Sequence, residues 1–198
     1  MSAKKPRRPA SAGADRLNSS YQIEELPAGA SCKMSDRGAV TELGGGFINS
    51  GEFVTAFGLD DKALLLKEFV FNQDLSDQDS WRMKLHLVEI GPECDHAQGK
   101  VSTHRYLLAL LVPCSLLKMC TQKDMTYRNA SVIDTGPLFL SGRDESNHLL
   151  ISCRCFMALA PTKKIDGRTS FRLRKELLDE VVHHYTTHAR RPGVMRFR

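Results

Sequence analysis

No stretch of this 198-residue chain is long and apolar enough to cross a membrane. The longest apolar run, residues 106–117, is interrupted by Pro113 and Ser115 and falls short of the roughly 20 residues a spanning helix needs. The basic start is followed by no apolar segment, so no secretory leader is expected. Neither a glycine at position 2 nor a C-terminal prenylation motif is found, so none of the usual lipid anchors is expected. Signatures of catalysis are missing too. The chain has no Gly-x-Ser-x-Gly elbow. Gly44-Gly45-Gly46 is not followed by the Lys-Ser/Thr of a phosphate loop and is not a Gly-x-Gly-x-x-Gly dinucleotide turn, so it reads as a hinge. These absences set the expectation of a non-enzymatic protein without a cofactor. Its expected location is intracellular, cytoplasmic or nuclear, and not secreted.

What is present describes a folded domain with basic ends. Hydrophobic residues make up 41% of the chain, enough to bury a core. The formal net charge is +5, and it is unevenly placed. Lys4, Lys5, Arg7 and Arg8 precede the first acid, Asp15. Lys163, Lys164, Arg168, Arg172, Arg174 and Lys175 form a second cluster, and Arg190, Arg191, Arg196 and Arg198 close the chain. Single-sign clusters of this kind attract polyanions. The ten cations from Lys4 to Arg8 and from Lys163 to Lys175 are therefore the expected polyanion-binding residues. Nucleic acid, a ribonucleoprotein or an anionic membrane surface is the expected partner. Six cysteines are present, and in a chain with no expected leader they read as thiols rather than disulfides.

Hydrophobic periodicity divides the chain. Residues 1–20 read as a disordered basic arm and residues 21–46 as a flexible Gly-containing linker. Residues 47–198 read as one globular domain. Within it, residues 63–71 look like a buried strand. Residues 81–90 alternate apolar and polar, the pattern of a strand with one buried face. Tyr106, Leu107, Leu110, Leu111 and Cys114 recur at helical spacing, which predicts a middle helix over 104–119 that Pro113 kinks. Residues 130–140 and 148–159 predict an antiparallel pair of strands, with Leu149, Ile151, Cys153, Cys155 and Met157 on one face. A basic loop over 161–170 leads to a C-terminal amphipathic helix over 171–189. The expected fold is α+β: a small antiparallel sheet packed against the middle helix and the C-terminal helix.

Candidate metal ligands are scattered. Cys94 and His96, Cys153 and Cys155, and His183, His184 and His188 form short-range groups. None has the two ligand pairs of a structural zinc site. Cys153 and Cys155 read as buried core residues, and the late histidines as a solvated helix end. No metal site is therefore assigned. Asp134 and Asp144 could act as a carboxylate pair only if the fold joined them.

The layout of arm, strand, middle helix, late strands and C-terminal helix resembles that of the matrix proteins of rhabdovirus-type negative-strand RNA viruses. The resemblance is one of layout and charge, without a shared motif; the Pro-Pro-x-Tyr motif of some members is missing here. It implies a structural virion protein that self-associates as a homo-oligomer, condenses the nucleocapsid and contacts the inner membrane leaflet. Two alternatives fit the same features. One is a sequence-independent nucleic-acid-binding accessory protein, such as a silencing suppressor or movement factor. The other is a small RNA-packaging coat protein.

Overall fold

The computed structural model describes residues 19–26, 32–71, 75–122 and 124–189. Its strands are β1 (Ile23–Glu25), β2 (Ala39–Leu43), β3 (Lys84–Glu89), β4 (His104–Pro113), β5 (Val132–Leu138), β6 (Asn147–Leu159) and β7 (Gly167–Leu173). They form one seven-stranded sheet in the order β1-β7-β2-β3-β4-β6-β5. Every neighbouring pair is antiparallel. The helices are α1 (Gly45–Ile48), α2 (Gly51–Phe57), α3 (Asp61–Glu68), α4 (Asp77–Arg82), α5 (Glu93–Ala97) and α6 (Lys175–Ala189). Residues 19–22 are helical as well. Helices set apart from an antiparallel sheet make this an α+β fold.

The sheet is organised around β4. Its neighbours β3 and β6 pair with it on both edges, and Leu107, Leu108, Ala109, Leu110, Leu111 and Val112 are all buried. Alternate side chains feed two separate cores. Tyr106, Leu108, Leu110 and Val112 join Leu85, Leu87 and Leu150 on one face, under Phe47, Phe53, Leu64, Leu65 and Phe69 from the helical segment 45–69. Leu107, Ala109 and Leu111 join Val40, Val88, Leu149, Ile151 and Phe171 on the other, under Leu178 and Val181 of α6.

This arrangement corrects the expected middle helix. Residues 104–113 are a central strand, and only Cys114–Met119 coil, as a short 3-10 turn. A continuous apolar run fits a helix or a strand buried on both faces equally well. Pro113 ends the strand and leads into the turn, so its missing N–H interrupts no helix. Residues 63–71 fall mainly in α3 rather than in a strand. The Asp60 carboxylate caps α3 by accepting from the Ala63 N–H at 2.8 Å.

The expected linker also carries structure. Ile23–Glu25 and Ala39–Leu43 are sheet strands. Gly44 and Gly46 are clasped rather than hinged. Gly44 N–H donates to the Asp166 carbonyl at 2.9 Å and Gly46 N–H to Asp166 Oδ2 at 3.1 Å. A Cβ on Gly44 would stand 2.2 Å from Asp166 Oδ2, so a side chain here would displace the Asp166 carboxylate. Of the expected arm, residues 1–18 lie outside the described residues. Ser19, within it, is buried, and its hydroxyl accepts from Phe139 N–H.

The late segment shifts in the same way. The expected basic loop already contains the start of β7, so α6 begins at Lys175 rather than at 171. The β4–β6 register slips between Leu107 and Ala109. As a result Leu149 and Ile151 face one core while Met157 faces the other, instead of sharing a face. Trp81, expected on the buried face of a strand, lies in α4 and is 75% exposed.

β3 alternates, but both of its faces are covered, so its polar position is buried too. His86 Nδ1 lies 2.8 Å from the Lys84 carbonyl, and its Nε2 has no hydrogen-bond partner. Burial drives the imidazole pKa down to about 4, against the smaller opposing effects of the Lys84 carbonyl and Glu42; Arg143 and Lys84 push it the same way as burial. In the unfolded chain a histidine titrates near 6.5. Between those values the unfolded state binds a proton that the folded state refuses. Stability from this group is therefore complete above about pH 6.5 and declines as pH falls toward 4, by up to roughly 3 kcal/mol. Urea unfolding of the wild type and His86→Asn at pH 7 and pH 4.5 checks this. The wild type should lose about 2 kcal/mol more than the variant over that interval; equal losses would place the acid sensitivity elsewhere.

Candidate metal centre

Position 89 breaks the pattern of its own strand. Leu85, Leu87 and position 89 share one face of β3 by strand alternation, and the third of them is a glutamate. Its side chain is fully buried. The β4 residue opposite Glu89 is Tyr106, and two residues before it His104 opens β4 on the same face. The β3–β4 connection contains α5, which carries His96. Three donor groups from one hairpin and its connection thus meet at one end of the sheet.

The distances fit a shared ligand. His96 Nε2 stands 3.2 Å from Glu89 Oε2, and His104 Nδ1 stands 3.7 Å from Glu89 Oε1. One donor atom from each residue lies within 4.8 Å of the others. Two donors on a tetrahedral zinc, with bonds of about 2.0–2.1 Å, stand about 3.4 Å apart. Gly91 N–H donates to Glu89 Oε2 at 3.0 Å. Glu89 Oε1, His96 Nε2 and His104 Nδ1 are buried and have no hydrogen-bond partner. Leaving a buried polar atom unsatisfied costs about 1–3 kcal/mol, and a cation among these three would satisfy them together.

The surroundings hold this geometry. A Cβ on Gly91 would stand 2.6 Å from Glu89 Oε1 and 2.9 Å from His96 Nε2, so glycine lets both side chains approach the backbone closely. Arg37 Nε donates to the Gly91 carbonyl at 3.1 Å, and its Nη2 bonds Asp179 of α6 at 2.9 Å. Lys175 of α6 pairs with Glu93 at the start of α5. The connection bearing His96 is therefore tied to α6 at two points. Burial, and secondarily the Glu89 charge, holds the Tyr106 phenol above its ordinary pKa.

The residues singled out in sequence are distributed differently. Lys4, Lys5, Arg7 and Arg8 lie outside the described residues. In the second cluster Lys163 pairs with Glu52, Arg172 with Glu24, and Lys175 with Glu93 and Asp179. Arg174 Nε donates to the carbonyls of Ser20 and Ile23. Lys164 and Arg168 are exposed, and neither pairs with an acid among the described residues. Cys94 does not join its neighbour His96; its thiol is exposed and donates to Asp95 at 3.5 Å. Burial raises the Cys153 and Cys155 thiols to about 11, with the Glu68 charge adding to it, which leaves both unreactive. His184 lies 3.9 Å from Glu180, one turn away on α6.

Asp134 meets His148 and Tyr127 instead of Asp144. His148 Nδ1 lies 2.9 and 3.0 Å from the two carboxylate oxygens, and the Tyr127 hydroxyl donates to Oδ2. Burial alone would raise the Asp134 carboxyl; the bonds from His148 and Tyr127 outweigh it and hold the group below its ordinary value. This network is internally satisfied. Comparison with protein-family models, with curated proteins and with solved structures finds no match. The class that fold and site define is therefore an α+β domain with a two-histidine, one-carboxylate cluster at the end of its central hairpin.

Filling the cradle at Gly91 tests its tightness. Gly91→Ala should lower stability by about 1–3 kcal/mol in chemical unfolding. Gly51→Ala, whose added methyl meets nothing within 4 Å, serves as the control and should not. Equal midpoints for the two variants would mean the cradle yields.

Proposed function

We propose that this protein binds a divalent transition-metal ion, zinc in the first instance, through Glu89, His96 and His104. The observation that carries the reading is the convergence of three buried donor atoms that have no other partner. Two imidazoles and a carboxylate suit zinc and its first-row neighbours, whereas magnesium and calcium favour oxygen donors alone. The buried carboxylate offsets one unit of the ion's charge. The tie from α5 to α6 presets the position of His96, so less ordering is left to occur on binding.

Zinc titration of tag-free protein in competition with a chromophoric chelator tests this. Loss of an outer-shell partner of a metal costs about 10–100-fold in affinity, so Glu89→Gln, His96→Gln and His104→Gln should each weaken binding by at least about 100-fold. The double variant His184→Gln/His188→Gln should retain it. Wild-type affinity in the triple variant would sink the assignment.

A second reading is association with polyanions, and the observation favouring it is the pair Lys164 and Arg168. Both are exposed and pair with no acid among the described residues, so their charge is available to a phosphate. In the matrix-like form, the same surface would meet nucleocapsid RNA or an anionic leaflet. Lys164→Ser/Arg168→Ser should lower the salt slope of single-stranded RNA binding by about 1.4, since each phosphate contact contributes about 0.7. Lys163→Ser/Lys175→Ser, at cations already paired within the chain, should change it less. An unaltered slope in the first pair would remove these residues from the interface.

A further inference from the structure

The outer edge of β6 is only partly covered. β5 pairs with it as far as Ser152, opposite Val132, and Cys153 N–H still donates to the Ser131 carbonyl. A bulge follows. The Ser152 hydroxyl accepts from both the Arg154 and the Cys155 N–H, and the strand bends away from β5. Beyond the bulge the ladder with β4 resumes: Phe156, Met157, Ala158 and Leu159 lie opposite Leu107, Tyr106, Arg105 and His104. Which backbone groups face outward follows from β4. Ile90 N–H donates to the Arg105 carbonyl, so Arg105 and Leu107 turn their backbone to β3, and His104 and Tyr106 turn theirs to β6. Antiparallel strands exchange bonds at alternate residues. Met157 and Leu159 therefore bond β4, while the N–H and C=O groups of Phe156 and Ala158 point to the open side. Among the described residues no strand pairs with them there.

The two faces flanking this edge differ. Toward α2 runs a groove of ≈ 340 Å³ whose wall includes Phe47, Thr55, Ala56, Met157 and Leu159. Glu52, also in that wall, is paired with Lys163. On the opposite face stand Phe156, which stacks on Tyr185 of α6 at 5.7 Å, and Ala158 with Arg105 beside it on β4. Arg105 is exposed and pairs with no acid among the described residues. An extended segment laid along the edge turns alternate side chains to the two faces. It meets an apolar groove on one and an unpaired cation on the other. Two copies of this chain paired edge to edge would bring both Arg105 side chains to one face, and such like-charge juxtaposition selects against a partner.

We propose that the open edge of β6 over residues 156–159 binds an extended peptide segment of a partner protein by strand addition. Its apolar side chains enter the groove beside α2, and the acidic side chains between them face Arg105. In this mode of recognition main-chain hydrogen bonds supply affinity, and the sites that receive alternate side chains supply specificity.

The probe is a short fluorescein-labelled peptide of alternating valine and glutamate, titrated with the full chain and followed by fluorescence anisotropy. The expected result is saturable binding, with none of the matching valine–lysine peptide. Ala158→Pro removes an N–H that faces the open side and leaves the ladder with β4 whole. It should weaken binding at least about tenfold, since a main-chain bond is lost and the proline ring obstructs the incoming strand. Thr55→Glu, at an exposed helix position in the groove wall, should weaken it as well and decides the matter if the proline variant does not fold. Absence of saturable binding would overturn the proposal, as would equal binding of the two peptides. So would unchanged affinity in either variant that keeps the wild-type melting temperature. A wild-type dimer in sedimentation that Ala158→Pro dissolves would assign the edge to a second copy instead and overturn it too.

Discussion

The double burial of β4 is the constraint on which the rest of the structure depends. A strand paired on both edges and apolar on both faces leaves each face of the sheet needing its own cover. Fully burying a leucine or valine contributes about 1.5–3 kcal/mol, so neither face can remain bare. The helical segment 45–69 covers one and α6 the other. The chain order of covering elements follows from this, because the residues before β3 close one core and those after β7 close the second.

Burial on both faces also decides where polar groups can be tolerated. Glu68 is buried and answered: the Ser152 hydroxyl donates to one of its oxygens at 2.6 Å and the Asn129 amide to the other at 3.2 Å. Asp134 is answered by His148 and Tyr127. Buried polar groups in folded proteins are satisfied in this way as a rule. The Glu89, His96 and His104 cluster departs from the rule at three atoms in one place. That contrast within a single molecule separates the candidate metal centre from the other polar networks.

The basic surface shows why charge composition is a weaker guide than placement. Six cations between Lys163 and Lys175 read in sequence as one patch. In the fold, three are paired with acids, and Arg174 donates to backbone carbonyls. Each of these contacts ties the late segment to another part of the chain: Glu52 on α2, Glu24 on β1, Glu93 on α5. Exposed pairs of this kind contribute little stability individually, but they lower the net field available to a polyanion.

By itself, the sequence determined the α+β class, the strand pair β5–β6 and the apolar stripe of α6. Each of those rests on a local period: two residues for a strand, 3.6 for a helix. Leu178 and Val181 are buried as the helical period required. Local period could not distinguish β4 from a helix, since a run apolar on every side carries no face. Pairing with β3 and β6 decided it. The site was only partly legible for the same reason. Its sequence signals were an acid at the third core-facing position of β3, after Leu85 and Leu87, and His96, which stood out there only beside Cys94, a residue that does not join it. That His96 and His104 would meet Glu89 was set by the antiparallel pairing of β3 with β4 and by the anchoring of α5 to α6, contacts between residues far apart in the chain that no local pattern encodes.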